Sequence, residues 1–309
     1  MQPDSAAPDA APARIAICVP TLQRNDMLRD CLGAVNALRV PERLHVDVIV
    51  ADNDASGGAK NLCAELRDTL VRPLHYVVEP QRGLASVRNR LLEEALRLNA
   101  DWIAFVDDDE RPEPGWLERH MEALQRFRAD VSSGPVIPAG PGQMSGDQGR
   151  SHRPTGSTPR NVACNNVVFR STLAREQQLR FDARFNFIGG EDFEFFERSS
   201  RAGNKHVWVA EAVVIETIPS DRATWRYLFM RHFSGATNAV VRYRKTHGGA
   251  LTWLHFVIKA AGKFLGAVVS VLCALLCARR RFAQSAVKQF ANSLGYLSGL
   301  CNLTFERYR

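Results

Sequence analysis

The sequence lacks a cysteine framework. Its seven cysteines, among them Cys18, Cys31, Cys63 and Cys164, form no C-x-x-C pair and no even spacing. This counts against a zinc ribbon and a disulfide-stapled scaffold, and an odd, unpatterned set predicts reduced thiols in a cytosolic compartment. A secretory signal is also missing. Residues 1–13 are rich in Ala and Pro, carry two aspartates, and have neither the basic start nor the apolar core of a signal; a disordered leader is expected there. No helix-turn-helix or aromatic-rich basic motif accompanies the net charge of +7, so nucleic acid is not the expected partner. The run after the first apolar segment, P-T-L-Q-R-N, has no glycine. A nucleotidyltransferase, the nearest alternative enzyme class, typically needs a glycine- and basic-rich phosphate loop there. Finally, no uninterrupted apolar run reaches the roughly 20 residues that cross a bilayer comfortably, the longest being Phe264–Ala278.

What is present is an ordinary globular composition, 45% hydrophobic and 24% charged, over 309 residues. That length suits one large core, or one core with an accessory segment. Residues 251–278 are strongly apolar, interrupted by His255, Lys259 and Lys263 and followed at once by Arg279, Arg280 and Arg281. Basic residues at the end of an apolar helix favour the cytoplasmic face of a membrane. Residues 282–305 are less apolar and suit an amphipathic helix in the interface. Two buried helices of a soluble protein are the alternative. The expected division is therefore 1–13 leader, 14–245 catalytic domain and 246–309 helical, membrane-associated region.

Between these ends strand and helix patterns alternate. Strands are expected at 14–19, 45–51, 74–78 and 102–106. Helices are expected at 26–38, from the glycine pair Gly57–Gly58 through Leu70, and at 85–98. This rhythm predicts an α/β fold with an open, mostly parallel sheet and helices on both faces. Ligands of such sheets bind outside the carboxyl ends of the strands. Three strand ends are polar: Pro20-Thr21, Asp52-Asn53-Asp54 and Asp107-Asp108-Asp109.

Three adjacent carboxylates after an apolar strand repel one another. Such a cluster is either a solvated acidic turn or a place where Mg²⁺ or Mn²⁺ supplies the missing positive charge. In extended backbone Asp107 and Asp109 would share a face, leaving Asp108 turned away. Asp52 is either a turn former or an acceptor for a base or ribose. A third acidic site, Gly189-Gly190-Glu191-Asp192, opens a helix; its acids can serve the helix start, or one can act as general base. Residues 132–159, rich in Gly, Pro and Ser, suggest a mobile loop beside the site.

Together P-T-L-Q-R, V-A-D-N-D, G-L-A-S-V-R-N, F-V-D-D-D-E and G-G-E-D-F-E-F-F-E-R resemble family 2 of the glycosyltransferases over residues 14–244. The resemblance implies the GT-A fold, usually with inversion at the anomeric carbon, and a divalent metal, Mn²⁺ or Mg²⁺. It implies that Pro20, Thr21 and Asp52 contact the nucleoside, that Asp107 and Asp109 make the ribose and metal contacts, and that Asp192 is the catalytic base. Arg88 and Asn89 match a pair that shapes the donor site; Glu191 and Arg222 are expected on the acceptor side. The implied partners are a nucleotide sugar, a UDP-sugar first, and a glycan or polyprenyl-diphosphate-linked acceptor in bacterial surface-polysaccharide synthesis at the inner membrane. Two departures stand out. Where relatives carry a histidine after the last core strand, this chain has Glu216, with His206 and His232 nearby, so the third protein contact to the metal stays open. The Q-x-x-R-W motif of processive synthases is reduced to Trp225-Arg226, which implies transfer of a single sugar. A catalytically inactive membrane scaffold remains the other reading.

Overall fold

A computed structural model describes residues 12–141, 153–277 and 279–303. In chain order the elements are β1 (Ala13–Thr21), α1 (Asn25–Asn36), β2 (Leu44–Asp52), α2 (Lys60–Arg67), β3 (Leu74–Val78), α3 (Leu84–Arg97) and β4 (Trp102–Phe105). Then come β5 (Glu110–Pro112), α4 (Trp116–Arg126), β6 (Val131–Ser133), β7 (Val136–Ala139), β8 (Val167–Arg170), α5 (Thr172–Arg175), α6 (Glu191–Arg201), β9 (His206–Trp208) and β10 (Val214–Thr217). Three long helices follow: α7 (Trp225–His247), α8 (Gly249–Cys277) and α9 (Arg280–Leu300).

The main sheet runs β3-β2-β1-β4-β8-β6-β9, and a small one runs β5-β10-β7. The first four strands are parallel; β8 is antiparallel to both β4 and β6. Alternation along β1 divides the core between the two faces. Ile15, Ile17 and Val19 pack with α1, α2 and α4, whereas Ala16 and Cys18 pack with α3, α5 and α6. In α1 the buried residues Leu28, Cys31, Leu32 and Val35 have helical spacing, so one stripe faces the sheet. Each fully buried leucine of this kind contributes about 2 kcal/mol.

Two local expectations change. β1 was expected to stop at Pro20 but continues to Thr21. The β4 pairing reaches only Cys18, so beyond it β1 has a neighbour on one side and the missing Pro N–H interrupts no second ladder. Residues 132–159 were expected to form one loop, yet they contain β7 and the end of β6, and residues 153–158 return against β9 through Gly156 N–H to Trp208 O. Residues 142–152, like 1–11 of the expected leader, lie outside the described residues.

Asn166 connects these short elements. Its Oδ1 accepts from Trp116 Nε1 at 2.8 Å and from His120 Nε2 at 2.9 Å, and its Nδ2 donates to Pro135 O and Ala212 O. His120 is fully buried, and burial pushes it down to about 4, so it stays neutral. A side chain at Gly134 would collide with the Ala212 carbonyl, 2.2 Å from an added Cβ.

The C-terminal helices pack as a layered set. α9 lies between α7 and α8, parallel to α7 through Thr237–Gly295 and antiparallel to α8 through Ser293–Ala260 and Gln289–Gly266. α8 is long and apolar enough to cross a membrane, with a mean hydropathy of 2.1 over its best window and 11% of that window buried. Leu254, Leu265, Leu272 and Leu276 are among its exposed side chains. The helix expected within residues 282–305 is α9, whose small residues Gly295 and Gly299 sit against α7.

Candidate active site

A cavity of about 640 Å³ opens at the carboxyl ends of β1 and β4, and α7 closes its far side. Pro20, Thr21, Arg88, the three aspartates 107–109, Glu191, Asp192 and Arg222 all line it. Residues as far apart in sequence as Pro20 and Arg222 are thus gathered at the strand ends, where open α/β sheets bind ligands.

The 107–109 segment is a turn rather than an extended strand, closed by Glu110 N–H to Asp107 O at 3.1 Å. This corrects the expectation that Asp108 points away. Asp108 accepts from Thr21 Oγ1 at 2.8 Å and pairs with Arg24 at 3.1 Å, and Asp109 pairs with the same guanidinium at 3.2 Å. Asp107 is the most open of the three and faces Arg88 at 3.3 Å. Burial pushes Asp108 up to about 6. Burial, then Asp107, raises Asp109, and burial raises Glu110 and Glu216 as well.

This surplus of buried negative charge is the environment that suits a divalent cation. Among the described residues, no three His, Cys, Asp or Glu side chains converge as a ready-made metal set. Mg²⁺-type sites commonly take one or two carboxylates and complete their shell with phosphate oxygens and water. The residues present therefore fit a metal that arrives with a diphosphate. Arg222, expected on the acceptor side, instead lies 3.2 Å from Asp109 and 3.7 Å from Glu216, beside the aspartate cluster. Glu216, at the position where the family resemblance implies a histidine, lines the cavity. His206 is hydrogen-bonded to Ser199 and lies away from this cavity.

Asp52 is placed differently from its expected role on the base. It is fully buried and does not line the cavity. Its oxygens accept from the N–H groups of Asp54 and Ala59 and from the Tyr76 hydroxyl, so its charge shapes the loop leading to α2. The adjacent Asn53 does line the cavity, and it ties that loop to Glu79 O, Gln81 O and Gly83 N–H. Asn89 also faces elsewhere, clipping Phe181 to α3 through paired hydrogen bonds.

Beside the aspartate turn, on the α6 wall of the cavity, Gly189 and Gly190 have φ of 79° and 90°, a left-handed turn that aims the start of α6 inward. Asn238 of α7 holds this turn by bonding to Ile188 O. Glu191 is buried and ion-paired with Arg88; burial still pushes it up to about 7. Asp192 accepts from Phe193 N–H at 2.7 Å and from Cys164 N–H at 3.4 Å. Burial raises its pKa, while Arg88 opposes the rise. A carboxylate raised in this way is a stronger base than one in water.

The comparisons with known proteins agree with this architecture. A protein-family model described as "Glycosyl transferase family 2" matches residues 16–184. The chain belongs to this family of glycosyltransferases. It is 33% identical over 304 residues to the succinoglycan biosynthesis protein ExoM of Rhizobium meliloti, covering 95% of this chain and 94% of that protein. Among solved structures, the mannosyltransferase PcManGT of Pyrobaculum calidifontis, in complex with GDP-Man and Mn²⁺, superimposes with a TM-score of 0.63 at 16% identity. That likeness covers 96% of this chain and 91% of the mannosyltransferase. Residues 1–349 of S. aureus TarS, in complex with UDP-GlcNAc, give 0.56 at 14% identity, covering 91% and 90%. At these identities the structural likenesses establish the fold alone, which is GT-A.

Arg24, Glu110 and Asn238 line the cavity without having been singled out as site residues by the sequence. Arg24 sits within P-T-L-Q-R, so the motif carried its signal. Asn238 lies in the middle of a helix, where nothing in the spacing marks it.

Proposed function

We propose that this glycosyltransferase moves one sugar from a nucleotide diphosphate donor, with UDP-sugars first in line, to a hydroxyl of a glycan or polyprenyl-diphosphate-linked acceptor, with inversion. The supporting observation is the shared cavity: Arg88 joins the aspartate turn to Glu191, and Asp192 follows at the start of α6. Asp107 and Asp109 would hold Mn²⁺ or Mg²⁺, which when bound neutralises charge on the departing diphosphate. Pro20 and Thr21 border the nucleoside, while Arg88 orients Asp107 and Glu191. Asp192 takes the proton from the acceptor hydroxyl as its oxygen bonds to C1. The bond from C1 to the phosphate oxygen breaks on the opposite face, and the nucleoside diphosphate leaves with the electron pair.

The acceptor class follows from α8. A bilayer-crossing α8 would carry the polar α9, with Gln284, Lys288 and Gln289, into hydrocarbon beside it. A charged residue alone costs about 3 kcal/mol there. The reading that suits the packing is α8 lying along the membrane surface, with Arg279–Arg281 toward anionic headgroups on the cytoplasmic side. The kinship with a succinoglycan biosynthesis protein supports a place in bacterial surface-polysaccharide synthesis. Asp192→Asn tests the mechanism: transfer should fall by about 10²–10⁴-fold with donor affinity nearly unchanged. Retained turnover would remove Asp192 from the base role.

A further inference from the structure

A second cavity, of about 450 Å³, adjoins the first, and Phe193 and Arg242 line both. Its walls come from residues 158–162, α6, α7 and α8. Four cations line it: Arg160, Arg201, Arg242 and Lys259. The one carboxylate among its lining residues, Glu197, is already paired with Arg201. Arg242 stacks over Phe193 at 4.9 Å, and its buried Nε has no hydrogen-bond partner among the described residues. Neutral sugars are usually met by carboxylates and amides that accept from hydroxyls. A surplus of guanidinium and ammonium groups instead suits phosphoryl oxygens. Lys259 comes from α8, whose outer side chains are apolar and exposed, so the cavity lies between the surface-seeking helix and Asp192.

We propose that this second cavity binds the phosphate or diphosphate of a membrane-anchored acceptor, on the opposite side of Asp192 from the donor. The proposal rests on the transferase reading for the meaning of "acceptor", but its binding chemistry can be tested alone. The full-length chain in detergent, without divalent metal, is titrated with inorganic diphosphate and with geranyl diphosphate. The wild type is compared with Arg160→Gln/Lys259→Gln and with the single variant Arg160→Gln. Binding of both probes should weaken by roughly tenfold or more in the double variant and less in the single one. Vesicles of phosphatidylglycerol should bind the wild type and double variant equally. Unchanged diphosphate binding in the double variant would overturn the proposal. So would loss of vesicle binding alone, which would make the cavity a headgroup site. Failure of the wild type to cleave any nucleotide sugar would sink the transferase reading without touching this result.

Discussion

Asp192 accepts from two backbone N–H groups at the wall of the cavity. Its raised pKa gives a signed expectation for activity. The base form is lost as pH falls through the raised value, so the acid limb of kcat/KM should lie above the ordinary aspartate value of 3.8. A limb at or below that value would show that Asp192 is not the group titrating. Gly190 matters for the same reason. At φ 90° an alanine is strained, and a small displacement of a catalytic group can cost about 10²-fold. Gly190→Ala should therefore leave a folded protein with kcat reduced on that scale, measured against its circular dichroism spectrum. Much of this site was legible from motif residues: Pro20, Thr21, Arg88, Asp107, Asp109, Glu191, Asp192 and Arg222 line one cavity. Asp52 was not, because its partners are the loop's own N–H groups and Tyr76, a pairing that sequence distance conceals. The turn at 107–110 was one of two open readings, because three aspartates after a strand suit its extension equally well.

Among elements, β1 to β4 and the helices between them were readable because their apolar patterns are long. The strands around Asn166 were not. β6, β7 and β9 span three or four residues each, too short to show a period. Their arrangement depends instead on a buried polar hub. Asn166→Ala would strand the Trp116 and His120 N–H donors and two carbonyls. Each unsatisfied group costs about 1–3 kcal/mol, so denaturant unfolding should show a loss of about 3 kcal/mol or more. A loss below about 1 kcal/mol would mean that neighbouring groups or water replace the amide.

For the whole molecule, α8 shows what composition alone left open. Its hydropathy suggested a membrane and the run after it a helix, but neither pattern revealed that α9 packs between α7 and α8. Full-length protein should float with phosphatidylglycerol vesicles. Leu254→Asp/Leu265→Asp/Leu272→Asp, at exposed positions, should weaken this by roughly tenfold or more. Equal flotation would place the membrane contact elsewhere. Glu191 adds a global pH dependence. Burial pushes it up to about 7 from the ordinary 4.5, so its contribution to stability is complete below 4.5 and is lost as pH rises to 7. The wild-type Tm should therefore fall as pH rises from 4.5 to 7 and level off above 7, with a smaller fall in Glu191→Gln; identical slopes would exclude Glu191 as the source. The central claim, a metal-assisted transferase site, meets its most direct test in one assay. Purified full-length chain is incubated with a panel of nucleotide sugars with Mn²⁺ or with EDTA, and free nucleoside diphosphate is measured. Release from at least one sugar with Mn²⁺, and none with EDTA, is the predicted result. Release from none of them under either condition would contradict it.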